Sequence, residues 1–149
     1  MMEQIIALYE KEAANRAAYD AAEIAGDQAA MEAARAQHKE NCQAARDNGS
    51  DFCFMLRLYT EMKDRGNELI DLNDVHDYQV AGVMTILHLF GIQRFTFSST
   101  WSSAVNAAWE ITQHGYKLEG MTQVNSQFTK IMSDEREQIP AFIFTAIEG

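Results

Sequence analysis

The first forty-eight residues constrain this chain most, because they contain no proline, only one interior glycine, and are rich in Ala, Glu, Gln and Arg. Ala and the straight-chain polar residues lose little side-chain freedom in a helix, so such a segment is strongly biased to form one. Ile5, Leu8, Tyr9, Ala13, Ala17 and Ile24 recur at three- and four-residue spacing and define one helical stripe. Gly26 followed by Asp27 reads as a stop and a start. The glycine closes one helix in the left-handed conformation and the aspartate caps the next. The second helix turns Met31, Ala34, His38, Cys42 and Ala45 inward. Two helices joined so tightly pack antiparallel, and small alanines let their backbones approach. The expectation is a helical hairpin over residues 1–48 with a thin apolar seam, projecting from the rest.

Residues 51–149 read as an α+β body, the whole chain 1–149 forming a single domain. Asp47-Asn48-Gly49-Ser50 is a turn, and Ser50 caps a helix from Asp51 to Arg65 with Phe52, Met55, Leu56, Tyr59 and Met62 on its apolar face. Leu69, Ile70 and Leu72 fill a short linking segment. Asn73 or Asp74 caps a fourth helix reaching Phe90. Its Val75, Val80, Val83, Met84, Leu87 and Phe90 are apolar nearly all round, which makes it central. Arg94–Ser98 is a β-type run. Ser99 or Thr100 then caps a helix from Trp101 to His114, whose inward face is Val105, Ala108, Trp109 and Ile111. Lys117–Asn125 is a second strand with a bulge at Gly120, Ser126–Gln138 a polar loop, and Pro140–Ile147 a third strand. The fold class is therefore α+β: an N-terminal helical hairpin, two further helices and a small three-stranded sheet with one crossover helix.

At 149 residues the chain can bury a sizeable core without disulfide or metal. Cys42 and Cys53 lie eleven positions apart, without CxxC or Cys/His spacing, and read as reduced thiols. The formal net charge of −10 is spread as −4, −3 and −3 over successive thirds. No basic patch is present to displace counterions, which disfavours binding to a nucleic acid or an anionic membrane. No apolar run approaches membrane-spanning length and no leader pattern opens the chain, so the expected location is cytoplasmic.

Chemistry is sparse. Ser98-Ser99-Thr100-Trp101-Ser102-Ser103 joins a strand to a helix start, where backbone N–H groups can hold an anion. It lacks the glycines and lysine of a P-loop and the G-x-S-x-G of a nucleophile elbow, so N-capping explains it more cheaply. His38, His76, His88 and His114 form no H-x-x-x-H pair. His76 lies among Asp71, Asp74 and Asp77, but helix capping accounts for these acids without a metal. His88 reads as a core residue. No catalytic residue, metal ligand or cofactor is expected. The more informative pattern is a ladder of acids, Glu61, Asp64, Glu68, Asp71, Asp74 and Asp77, each three or four residues after the last. On an unbroken helix they would line one edge at a spacing not far from that of nucleic-acid phosphates, although Gly66 and the cap at Asn73 interrupt it. A solvated face is the plain reading, and a surface for a basic partner the functional one. Trp101 and Trp109, eight residues apart, share a helical side, one of them in the core and the other half-exposed as an interface anchor.

Phe95-Thr96-Phe97-Ser98-Ser99-Thr100-Trp101-Ser102-Ser103-Ala104-Val105, Gly115-Tyr116-Lys117-Leu118-Glu119-Gly120-Met121, Val124-Asn125-Ser126 and Ile139-Pro140-Ala141-Phe142-Ile143-Phe144 resemble an uncharacterised family of small proteins from mobile elements of gut Firmicutes. The resemblance covers about a third of the chain and leaves the hairpin aside. What it implies is context, since small acidic proteins of such elements are often inhibitors of host defence, including anti-CRISPR proteins. The leading expectation is a non-enzymatic inhibitor that binds the basic surface of a nucleic-acid-processing complex such as a CRISPR effector. The alternatives are a homo-oligomeric accessory protein, dimerising through the hairpin, and a small-molecule or nucleotide-binding enzyme using the Ser98–Ser103 loop.

Overall fold

A computed structural model describes residues 1–65 and 70–147. Contacts divide the chain into two compact units, Met1–Asp64 and Arg65–Gly149. The first unit is all helical: α1 (Met2–Ala25), α2 (Gln28–Asp47) and α3 (Ser50–Arg65), the last crossing the boundary by one residue. The tight turn forms as its residues require. Gly26 takes φ 68°, which carries a steric penalty for any residue with a Cβ, and Asp27 accepts a hydrogen bond from the Ala30 N–H at 3.1 Å.

The hairpin seam differs from the apolar stripe expected. Ile5 and Ala22 on α1 face inward with Ala34, Asn41 and Ala45 on α2, while Ala17 and Ile24 are exposed. Between them the seam is polar. Asn15 donates to the Ala34 carbonyl at 2.8 Å. The two oxygens of Glu12 meet His38 Nδ1 at 2.7 Å and Asn41 Nδ2 at 2.5 Å. A seam at coiled-coil spacing (12, 15, 19, 22) drifts away from a stripe drawn at 3.6 residues per turn, which is why Ala17 and Ile24 turn outward. Tyr9 of α1 meets Tyr59 of α3 edge-on at 5.1 Å, so α3 belongs with the hairpin.

The second unit carries the sheet. It has four strands among the described residues, in the order β1-β2-β4-β3: β1 (Ile70–Asn73), β2 (Arg94–Ser98), β3 (Tyr116–Thr129) and β4 (Arg136–Ala146). β1 runs parallel to β2, reached through a 3-10 turn (Asp77–Gln79) and α4 (Val80–Leu89). β4 is antiparallel to both β2 and β3, and α5 (Ala104–Thr112) crosses from β2 to β3. The α+β class with an N-terminal hairpin is as expected. The sheet gains β1, because four residues are too few for alternation to show against a linking segment. β3 and β4 are also longer than expected. The segment read as a loop over Ser126–Gln138 is strand up to Thr129 and again from Arg136, because ladder hydrogen bonds hold polar residues there without an apolar face. The register shift between Leu118 and Gly120 is the bulge the glycine implied. Pro140 sits inside β4 rather than at its start, and is tolerated where β4 has β3 as its one neighbour.

The core of this unit is aromatic. Phe95 stacks on Phe144 at 5.5 Å and meets Tyr116 edge-on at 4.9 Å, and Phe97 stacks on Phe142 at 6.5 Å. Val80, Val83, Met84, Ile86 and Leu87 of α4 are all buried, which fits a central helix. A fully buried Phe stabilises a fold by roughly 1.5–3 kcal/mol relative to exposure.

Candidate functional site

The parallel strands β1 and β2 end side by side at Asn73 and Ser98, and the chain leaves both ends as loops. In sheets of this kind the carboxyl edge of parallel strands is where loops gather functional groups. Here Ser98 Oγ donates to Asn73 Oδ1 at 2.5 Å, the Thr100 N–H donates to Asp74 Oδ1 at 3.1 Å, and the Asp74 N–H returns to the Ser98 carbonyl. Asp74 holds φ 53°, a left-handed conformation that Asp tolerates better than most residues. Neither Asn73 nor Asp74 caps the fourth helix as expected, since Asn73 ends a strand and Asp74 ties the two loops together.

His76 occupies the cap of the 3-10 turn, sharing reciprocal hydrogen bonds with Gln79. Its ring is the hub of an aromatic group: Trp101 stacks on it at 3.9 Å and Tyr78 at 4.9 Å, both nearly coplanar with it. Ser103 Oγ lies 3.4 Å from His76 Nδ1, longer than a nucleophile poised against its base. Ser99 Oγ accepts from the Trp101 N–H at 3.1 Å, so the serine-rich junction serves mainly to turn the chain. The helix starts at Ala104, three residues later than the capping pattern suggested, with Ser103 at its N-cap position.

That late start fixes which side of α5 faces out. Ala107 and Ile111, four residues apart, are buried, and this rotates Val105 and Trp109 outward; of the expected inward face Ile111 is buried, but Val105 and Trp109 are not. Val105 is 75% and Trp109 64% exposed, and Trp101 is 40% exposed, so neither tryptophan is a core residue. Val105 and Trp109, four residues apart, thus form an outward apolar pair on α5, while Trp101, in the turn before the helix, and Tyr78, 68% exposed, are joined through the His76 ring. Sequence reading named the tryptophans, turned Val105 inward and missed Tyr78. The 105/109 spacing was the available signal. Val105 also lines an apolar hollow of about 290 Å³ with Phe97, Met121, Pro140 and Phe142.

The six acids of the ladder do not share a helix. Glu61 and Asp64 lie on α3, in the first unit, and Asp71 is on β1, accepting from the Thr96 hydroxyl. Asp74 follows β1 and Asp77 opens the 3-10 turn, while Glu68 lies outside the described residues. Asp74 and Asp77 are therefore brought to the His76 group, while Asp71 stays on β1. Between Ile70 and His114 the one Arg or Lys is Arg94, at the opposite end of β2 and paired with Glu119 at 3.2 Å. Asp74 and Asp77 lie beside the stacked rings of His76, Tyr78 and Trp101, and Glu110 follows Trp109 on α5.

His88 is exposed rather than buried in the core. It stacks on Tyr116 and its Nε2 bonds the His114 carbonyl at 2.8 Å. Cys42 and Cys53 are free and half-buried. Among the described residues no group of three His, Cys, Asp or Glu side chains is placed to hold a metal, and no helix is long and apolar enough to cross a membrane. Compared with known proteins, residues 54–146 match the model of a domain of unknown function, DUF7698. No curated protein and no solved structure matches the chain.

Proposed function

The chain belongs to the DUF7698 family, and we propose that it acts as a non-enzymatic binding protein that docks a basic partner on the outer face of α5. The single observation that carries this reading is the exposure of Tyr78, Trp101, Val105 and Trp109 on and just before α5, with Asp74 and Asp77 beside the His76 rings. Exposed tryptophans at one face are costly in water and are the residues that most often anchor interfaces. The hollow beside Val105 offers a socket for one apolar side chain of the partner. Asp74, Asp77 and Glu110 supply complementarity to basic groups around that anchor and speed encounter at low salt.

The specific form we propose is an inhibitor of a nucleic-acid-processing complex such as a CRISPR effector, whose basic groove this edge would occupy. Net charge of −10 and the resemblance to mobile-element proteins support that choice of partner. The test is to titrate the protein into DNA-cleavage reactions of purified CRISPR effectors from Firmicutes, at low and moderate salt. Inhibition is expected to weaken as salt rises and to fall more than tenfold in the Trp101→Ala/Trp109→Ala double variant. Inhibition untouched by that variant would move the docking face away from α5. Absence of inhibition across the panel, together with self-association, would favour the homo-oligomeric accessory protein instead.

A further inference from the structure

The polar seam of the hairpin contains a chain of contacts that packing alone does not require. On α2, Cys42 follows His38 by one helical turn, and its Sγ lies 3.5 Å from His38 Nε2. The other ring nitrogen, Nδ1, lies 2.7 Å from Glu12 Oε1 on α1. The second oxygen of Glu12 accepts from the Asn41 amide at 2.5 Å. Thiol, imidazole and carboxylate thus meet in the order of a nucleophile, its base and the group that orients the base.

That order fixes where the protons sit. A carboxylate can only accept, so Nδ1 carries the hydrogen that faces Glu12. Nε2 of the neutral ring then keeps a lone pair, and the atom it faces is Sγ. Passing the thiol proton to Nε2 leaves an imidazolium between a thiolate and a carboxylate, opposite in charge to both. Asn41 is buried and Glu12 half-buried, which anchors the orienting end of the chain. His38 is exposed and Cys42 half-buried, so a small molecule can reach the reacting end. Glu12 and His38 also line a groove of about 620 Å³ between α1 and α2, room for the body of such a molecule. Cys53 is a built-in contrast: it is half-buried like Cys42, but among the described residues no imidazole or carboxylate bonds its thiol.

We infer that Cys42 is a reactive thiol at which this protein exchanges with small disulfides. His38 takes the thiol proton, and the Cys42 thiolate attacks one sulfur of the disulfide. A new Sγ–S bond forms as the old S–S bond breaks, and the departing thiolate takes the proton back from His38. The small disulfide is the oxidant, and the products are a mixed disulfide on Cys42 and one free thiol. Glu12 is a positioning residue, which keeps Nε2 turned toward Sγ and favours the imidazolium.

The rate of reaction of the full chain with dithiodipyridine, an uncharged aromatic disulfide, at pH 7 tests this. Cys53→Ser, in which Cys42 is the remaining thiol, should react at least tenfold faster than Cys42→Ser, in which Cys53 remains. His38→Gln added to Cys53→Ser should remove most of that advantage without loss of far-ultraviolet helicity, since His38 is exposed. Glu12→Gln keeps an acceptor for Nδ1 but not the charge, and should slow Cys42 at least threefold. Neither change should slow Cys53 in the Cys42→Ser background, whereas a loosened hairpin would speed both thiols. Equal rates for the two thiols, a Cys42 rate unmoved by His38→Gln, or changes shared equally by Cys53 would each overturn the proposal. None of these rates bears on the α5 face.

Discussion

Along α1 sixteen residues separate the two buried ones, Ile5 and Ala22, whereas β2 buries four of its five. The hairpin is held by long helices with a polar seam of Glu12, His38, Asn15 and Asn41, and the second unit by an aromatic core of Phe95, Phe97, Phe144 and Tyr116. The contrast follows from the physics of each element. A helix closes its backbone hydrogen bonds within itself and can be held along a narrow seam, while a strand of four or five residues has no stability apart from its neighbours. It also separates the surfaces. The hairpin leaves charged side chains around a groove, and the sheet unit, having filled its interior with rings, leaves further rings outside on α5.

Phe95→Ala should break the comparison most visibly. Phe95 is fully buried against Tyr116 and Phe144, and its removal costs about 3–5 kcal/mol, a large share of what a domain has to spare. Near-ultraviolet circular dichroism should lose its aromatic signal while most far-ultraviolet helicity, carried by α1 and α2, remains. Collapse of both signals together would mean that the units fold as one cooperative block, and the contrast drawn above would be one of composition only.

Tyr116→Phe should have the next largest effect. The Tyr116 hydroxyl donates to the Ile92 carbonyl at 2.6 Å in a buried position, and leaving that acceptor unpaired costs about 1–3 kcal/mol. Burial also pushes the Tyr116 ionisation above its ordinary 10.0. Above about pH 10 the unfolded chain therefore gives up a proton that the folded chain keeps. Stability is whole below that pH and falls as pH rises toward the folded value. Urea midpoints between pH 7 and 11 should show this alkaline fall in the wild type and a shallower one in Tyr116→Phe. Equal slopes would assign the fall to other groups.

In the hairpin the corresponding change is Asn41→Ala, which strips a hydrogen bond from Glu12 and should cost about 1–2 kcal/mol. Replacing both partners, Glu12→Leu with Asn41→Leu, should be neutral or stabilising, since an apolar pair avoids the desolvation that the polar seam carries. Thermal melts of the single and double variants decide this. A double variant weaker than Asn41→Ala would show that the polar seam sets the helix register rather than merely filling it.

These elements also mark how far the sequence was legible. The hairpin, its turn at Gly26-Asp27, the helical character of Val80–Leu89 and the strand Arg94–Ser98 follow from composition and spacing, because local preference and tertiary packing agree there. The strand Ile70–Asn73 did not, since four residues carry no measurable period. The inward face of α5 also went astray: apolar residues lie all around that helix, and Ala107 with Ile111 are chosen by the neighbours they meet. The candidate site was half visible. Trp101, Asp74 and Asp77 were singled out, but the stack on His76 joins residues twenty-five apart, a meeting that depends on β1 and β2 pairing in parallel.

The smallest effect is expected at the surface of the sheet unit. Glu119 lies across from the start of β2, where the Thr145 hydroxyl and the Arg94 guanidinium both donate to its Oε2. The Thr145 hydrogen bond first, and then the Arg94 one, hold this carboxyl below its ordinary value of 4.5. The sign follows from proton linkage: the folded chain keeps the carboxylate charged at a pH where the unfolded chain protonates it. The contribution is therefore present above about pH 4.5 and disappears as pH falls through the lowered value. Because Glu119 is open to solvent, the effect is a slope to be compared rather than a large loss of midpoint. Urea midpoints of Glu119→Gln should lie slightly below the wild type at pH 7 and converge with it near pH 3, and added salt should narrow the gap at pH 7. A gap that persisted at pH 3 would show that the glutamate holds β3 by shape and hydrogen bonding alone. The contrast would then sharpen, with the Arg94–Glu119 ion pair contributing nothing measurable to how the sheet is held.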